Sequence, residues 1–134
     1  MNNIYGENTL SLATAKKLLG LIDFSQRRNK AHNKGVNCYR RIKNIEINEK
    51  DIIRKYEDQK GLCYWSGLPL NEEYNFIKFH PFAISVERLE NDGDYTYDNI
   101  VLVRRFFNLG RMAFPLEEYR VCVKSLIEDL RKKI

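Results

Sequence analysis

The sequence predicts an α+β domain, and three observations carry that expectation. Apolar residues recur at helical spacing near both ends of the chain. The middle third alternates apolar and polar residues and is cut by turn signals. The length, 134 residues, suits one domain with a modest core. With 43% hydrophobic and 12% aromatic residues the composition is that of a folded globular chain.

The first helix is expected over Thr9–Leu21, where Leu10, Leu12, Ala13, Leu18, Leu19 and Leu21 give the stripe and Gly20 weakens its end. Residues 24–45 hold few large apolar groups before Tyr39, Ile42 and Ile45, and read as helix or extended arm. A second helix is predicted over Asn48–Lys60. Asn48 is placed to cap it, Asp51 stands three residues on as in a capping box, and Gly61 supplies the stop. Its inner face is Ile52, Ile53 and Tyr56. Leu62–Leu70 suits a short strand pair or knuckle. Phe76–Phe82 and Ile84–Leu89 read as strands, the latter with Ile84 and Val86 inward, and Asn91-Asp92-Gly93-Asp94 is a turn. A helix is predicted from Asp98 to about Gly110, burying Ile100, Val101, Val103, Phe106 and Phe107. A last helix runs over Leu116–Lys133, with Glu117 and Glu118 early and Arg131, Lys132 and Lys133 late, which complements the helix dipole. The chain divides into an N-terminal helical and basic region (1–46), a central unit (47–114) and a C-terminal helix (115–134) packed on it, all in one domain.

The net charge of +5 favours an acidic partner, nucleic acid being the commonest. Residues 1–60 carry 13 Lys and Arg against 7 Asp and Glu, whereas residues 61–134 carry 10 against 11. Between Phe24 and Ile45 stand Arg27, Arg28, Lys30, Lys34, Arg40, Arg41 and Lys43, and no acid. Such a run can neutralise several phosphates, with His32 among them, or form a solvated face without a partner. Cys38, Cys63 and Cys122 form no CxxC pair, and their odd number argues against a disulfide framework. Cys122 is expected to pack as a small hydrophobe. No signal peptide or membrane-length apolar run is seen. The expectation is a soluble, intracellular protein of the cytoplasm or nucleus, in a reducing compartment.

Metal-assisted phosphodiester hydrolysis needs oxygen ligands for a hard cation, a base for water, and a cationic group for the transition state. A hairpin followed by a helix can present all three on one platform. Glu87 ends an alternating strand, a turn follows, and Asn99 and Asn108 flank an apolar stretch. The ordered block Ser85-Val86-Glu87-Arg88-Leu89-Glu90, Tyr95-Thr96-Tyr97-Asp98-Asn99-Ile100 and Asn108, preceded by Tyr56–Leu70 (YEDQKGLCYWSGLPL), resembles the HNH endonuclease family, the ββα-metal nucleases. Within that family it is similar to the subgroup with Asp/Glu-Arg in place of Asp-His. The resemblance spans roughly Ile47–Met112, about half the chain. Shared order and spacing carry it; no single element does.

The resemblance implies a ββα-metal hairpin-helix core and a Mg²⁺- or Mn²⁺-dependent DNA endonuclease with one cation per site. Glu87 and Asn108 would ligate the metal, and Asn99 would order the loop by bonding backbone groups across the hairpin. Arg88 stands where most relatives place a catalytic His. A guanidinium is no base at neutral pH, but it can clamp a phosphate, unless it pairs with Glu90 or Asp92 instead. The base would then be His80, with Tyr95 and Tyr97 next; Asp94 and Asp98 are further metal contacts, Asp98 more as a helix cap. The hairpin would dock in the minor groove of double-stranded DNA while residues 26–43 bind backbone or read an adjacent groove. Cutting both strands implies a homodimer; a nicking monomer fits equally. Three departures stand out: Glu87 for the usual Asp, Asp94 for a usual Gly, and Ser66, Arg104 and Phe107 at zinc-cysteine positions. No structural zinc is expected, and Trp65, Phe106 and Phe107 are expected to fill its place as core. The alternative reading is a catalytically inactive nucleic-acid-binding module on a degenerate HNH fold.

Overall fold

A computed structural model describes residues 9–34, 41–112 and 114–133. It is a mixed helix and sheet structure, as the α+β expectation requires. Helix α1 (Leu12–Asn33) is capped by Ser11, whose hydroxyl accepts from the Thr14 N–H at 3.2 Å. At 22 residues it runs about 33 Å. The helix therefore passes through Gly20 and takes in the first half of the basic segment, which the local pattern leaves undecided. Its buried face is also shifted: Ala15, Leu18, Ile22 and Gln26 face inward, while Leu12 and Leu21 are exposed.

The chain returns as an extended strap over residues 41–47 that α1 and the distal loop hold between them. Gln26 accepts the Lys43 N–H at 2.8 Å, and Ile45 bridges in parallel to Tyr95. Helix α2 (Glu49–Asp58) forms the predicted capping box, Asn48 and Asp51 each accepting the other's backbone N–H. Ile52 and Tyr56 are fully buried. The helix stops where Lys60 and Gly61 take positive φ, at 57° and 68°, which glycine adopts without penalty. The predicted knuckle follows, with Leu62 bridged to Pro69.

Two segments differ from the sequence reading. No strand forms over Phe76–Phe82: residues Glu72–Phe76 are a 3-10 turn begun by Asn71, and 77–82 is irregular. Phe76, Ile77, Phe79 and Phe82 are exposed, so this apolar run forms no buried strand face. Nor does a helix run from Asp98. After a 3-10 turn at Tyr97–Asn99, strand β2 (Ile100–Arg104) pairs antiparallel with β1 (Ile84–Arg88), Val86 opposite Leu102 and Glu87 opposite Val101. The helix α3 is short (Arg105–Arg111). Ile100-Val101-Leu102-Val103 is buried on both faces of the hairpin, and such a β-branched run does not separate buried strand from buried helix by periodicity. Thr96, not Asp98, precedes the 3-10 turn.

Helix α4 (Leu116–Lys133) matches its predicted bounds and buries only Tyr119, whose hydroxyl donates to the Phe107 carbonyl at 2.7 Å. Cys122 on α4 is exposed rather than packed, and Phe106 is exposed rather than core; Cys63 is buried. One core joins α1, α2, the knuckle and both strands, with Trp65 and Phe107 packed at its edge. Among the described residues no helix is long and apolar enough to cross a membrane.

Candidate functional site

The hairpin's distal loop, residues 89–99, is tied from within. Asn99 accepts the Glu90 N–H at 2.9 Å and donates to the carbonyls of Glu90 and Asp94, at 3.2 and 3.0 Å. Gly93 leaves room for this brace, because a Cβ there would come within 2.5 Å of the Asn99 amide nitrogen and displace it. Arg88 Nη1 donates to the carbonyls of Asn91 and, at 2.9 Å, Gly93, and its guanidinium lies 5.2 Å from the Tyr95 ring centre. Its partners in the loop are therefore backbone carbonyls. Asp94 accepts the Asn44 N–H at 3.0 Å and pairs with Arg41 at 3.5 Å. That carboxylate anchors the strap and is not turned to the hairpin's inner recess.

That recess, about 90 Å³, lies between β1 and α3. Glu87, Arg88, Asn91, Tyr95, Asn108 and Arg111 line it. Glu87 sits on the strand, yet it is only 3% exposed, breaking the expected alternation. Trp65 Nε1 donates to its Oε2 at 2.6 Å. Its Oε1 is buried without a hydrogen-bond partner, and Arg111 Nη1 stands 3.7 Å away. Burial pushes the Glu87 carboxyl above its ordinary range, and the Trp65 hydrogen bond and the Arg111 charge pull against it. On α3, Asn108 donates to Ser85 Oγ at 2.7 Å, which leaves its carbonyl oxygen as the group it can offer a ligand.

Two residues of the recess are not evident from local pattern. Arg111 is fully buried; it donates to the carbonyls of Arg88 (2.6 Å), Leu89 and Phe114 (3.2 Å). Its position three residues after Asn108 puts both on one helix face, and that spacing is the signal that could have found it. Trp65, expected as plain core filler, holds the carboxylate; no local signal marks it. Tyr119, beside Glu87, has its phenol pushed up to about 12, by burial first and then by the Glu87 charge.

Other predicted residues lie elsewhere. His80 stacks on Tyr74 with ring centres 4.2 Å apart, and its Nδ1 accepts the Phe82 N–H at 3.0 Å. It is not among the residues lining the recess. Tyr97 is wedged between Arg54 and Lys55, each 3.8 Å from its ring centre, and donates to Asp58. Asp98 is exposed in the 3-10 turn. Of the basic run, Arg27, Arg28 and Lys30 are exposed on α1, Arg27 paired with Asp23 at 3.0 Å. Lys34 ends α1, and Arg40 lies outside the described residues. Lys43 on the strap has its ammonium pKa lowered by burial and then by Arg88 and Arg41, so the basic run reaches the distal loop. Among the described residues no three His, Cys, Asp or Glu side chains gather closely enough to hold a metal.

Comparison with known proteins adds no relative: no family model, no curated protein and no solved structure matches the chain.

Proposed function

We propose that this chain is a Mg²⁺- or Mn²⁺-dependent DNA endonuclease of the HNH type, hydrolysing phosphodiester bonds at the recess between β1 and α3. One observation carries the reading: Glu87 from the strand and Asn108 from the helix line the same recess, beside Arg88, in a hairpin whose loop Asn99 braces. The donor set suits a hard cation. It offers a carboxylate oxygen that is buried with no hydrogen-bond partner and an amide oxygen. A bound cation would supply polarisation of the phosphate and stabilisation of the leaving 3′ oxygen.

The chain's own residues supply the rest. Arg88, fixed on the loop carbonyls, presents cationic charge to a phosphate in the recess. Tyr95 lines the recess, whereas His80 is held in the turn against Tyr74 and Phe82. Proton removal from water then falls to solvent, or to Tyr95 as its phenolate. The exposed cations of α1 and the strap hold the DNA backbone, so binding weakens as salt rises.

Arg111 favours a second reading. Its guanidinium already faces the Glu87 oxygen a metal would need, as a built-in counter-ion. In that case the unit is a non-catalytic nucleic-acid-binding module on a decayed nuclease core.

Supercoiled plasmid incubated with Mg²⁺ or Mn²⁺ separates the two. Nicking by the wild type that is lost in both Glu87→Gln and Glu87→Ala is the result expected of the enzyme. DNA retention at low salt without nicking by any form would establish the binding module. Cleavage that survives both substitutions would remove Glu87 from the site.

A further inference from the structure

A second and larger concavity, about 560 Å³, opens next to the recess and shares Asn108 with it. Its walls come from α1, residues 75–79, the start of β1 and α3. Lys17, Lys78 and Arg105 line it, and no carboxylate does. Phe76 and Phe79 stand in it 64% and 71% exposed. Each ring already carries a cation: Lys17 is 4.9 Å from the centre of Phe76, and Lys78 and Arg105 are 5.2 and 5.6 Å from that of Phe79. Phe79 is also held at φ 58°, a conformation costly for an aromatic residue that the surrounding turn must impose.

Exposed rings interleaved with cations, in a groove without acids, fit a polyanion whose repeating units present flat π-faces. A duplex offers phosphates, but its bases are stacked on one another and cannot reach the rings. We propose that this groove binds unpaired DNA, stacking bases on Phe79 and Phe76 and setting the intervening phosphates on Lys17, Lys78 and Arg105. The strand would leave the groove at Asn108 and so deliver its backbone to the recess. The choice of DNA rests on the nuclease reading; the preference for unpaired bases rests on the groove alone.

Fluorescence anisotropy in EDTA tests this with the full chain. The probes are labelled oligonucleotides of about 12 nucleotides, within the span such grooves cover: an oligo-dT, an abasic strand of equal charge, a duplex, and the matching RNA. The oligo-dT should bind about tenfold or more tighter than the abasic strand. Phe79→Ala and Phe76→Ala should each lose about tenfold on oligo-dT and leave the abasic strand unchanged. Both side chains are exposed, so the variants are expected to fold, and circular dichroism checks this. Equal binding of oligo-dT and the abasic strand, preference for the duplex, or an unaffected Phe79→Ala would overturn the proposal. Tighter binding of the RNA would overturn the choice of DNA. Because EDTA removes cleavage from the measurement, failure here and failure to nick plasmid are read separately.

Discussion

Two connections flank β1, and they are built in opposite ways. The loop after the strand, 89–99, spends its polar groups on itself: Asn99, Arg88 and Gly93 close it from within, and Asp94 ties it to the strap. The segment before the strand, 76–82, turns four large apolar side chains to solvent and holds Phe79 at positive φ. The first is a scaffold for the groups at its base. The second leaves Phe76 and Phe79 mostly exposed to solvent. Stability and binding should therefore respond to mutation in opposite patterns on the two sides of one strand.

The largest effect on stability is expected at the base of the scaffolded loop. Arg111→Met leaves the buried Glu87 carboxylate without its counter-charge and releases the carbonyls of Arg88 and Leu89. Breaking one side of a buried ion pair costs about 3–5 kcal/mol, to be read by urea denaturation. A variant within about 1 kcal/mol of wild type would mean that Arg111 is not what holds the loop to α3.

The loops themselves come next. Asn99→Ala removes three hydrogen bonds to the backbone and should cost about 2 kcal/mol, with faster amide exchange over residues 90–94. Phe79→Gly is the counterpart. It relieves the positive φ and gives up a mostly exposed ring, so stability should stay within about 1 kcal/mol of wild type. Equal losses at the two positions would erase the contrast.

The smallest effect is in pH dependence. The Glu87 carboxyl is raised in the fold, so the folded chain binds its proton more tightly than the unfolded chain does. Its contribution to stability is complete below the ordinary value of 4.5 and is lost as pH rises through the raised one. In EDTA, wild type should lose stability relative to Glu87→Gln as pH rises above 4.5, by at most about 1.4 kcal/mol per pH unit. A difference that grows in the opposite sense would mean that Arg111 and Trp65 outweigh burial.

Local rules served best where short-range chemistry decides. The Asn48/Asp51 box, the bounds of α4 and the turn at 91–94 follow from capping and turn residues a few positions apart. Asn99 as the brace of the loop came from its place in an ordered motif. The failures share a cause: a partner distant in sequence. Ile100–Val103 is strand because Ile84–Arg88 lies beside it, and no local period says so. Phe76–Phe82 has strand composition but pairs with neither strand of the hairpin. Glu87 looks like an outward strand residue until Trp65 and Arg111 arrive from 22 residues before and 24 after. His80 is drawn into an aromatic cluster with Tyr74 and Phe82.

The proposed function requires that Glu87 and Asn108 hold a cation in competition with Arg111. Titration of the apo protein with Mn²⁺, followed by electron paramagnetic resonance, tests it directly. One bound Mn²⁺ per chain is expected, lost in Glu87→Gln and weakened in Asn108→Ala. A wild type that binds no Mn²⁺, or a Glu87→Gln variant that binds it as well, would contradict the claim and leave the recess as a buried ion pair.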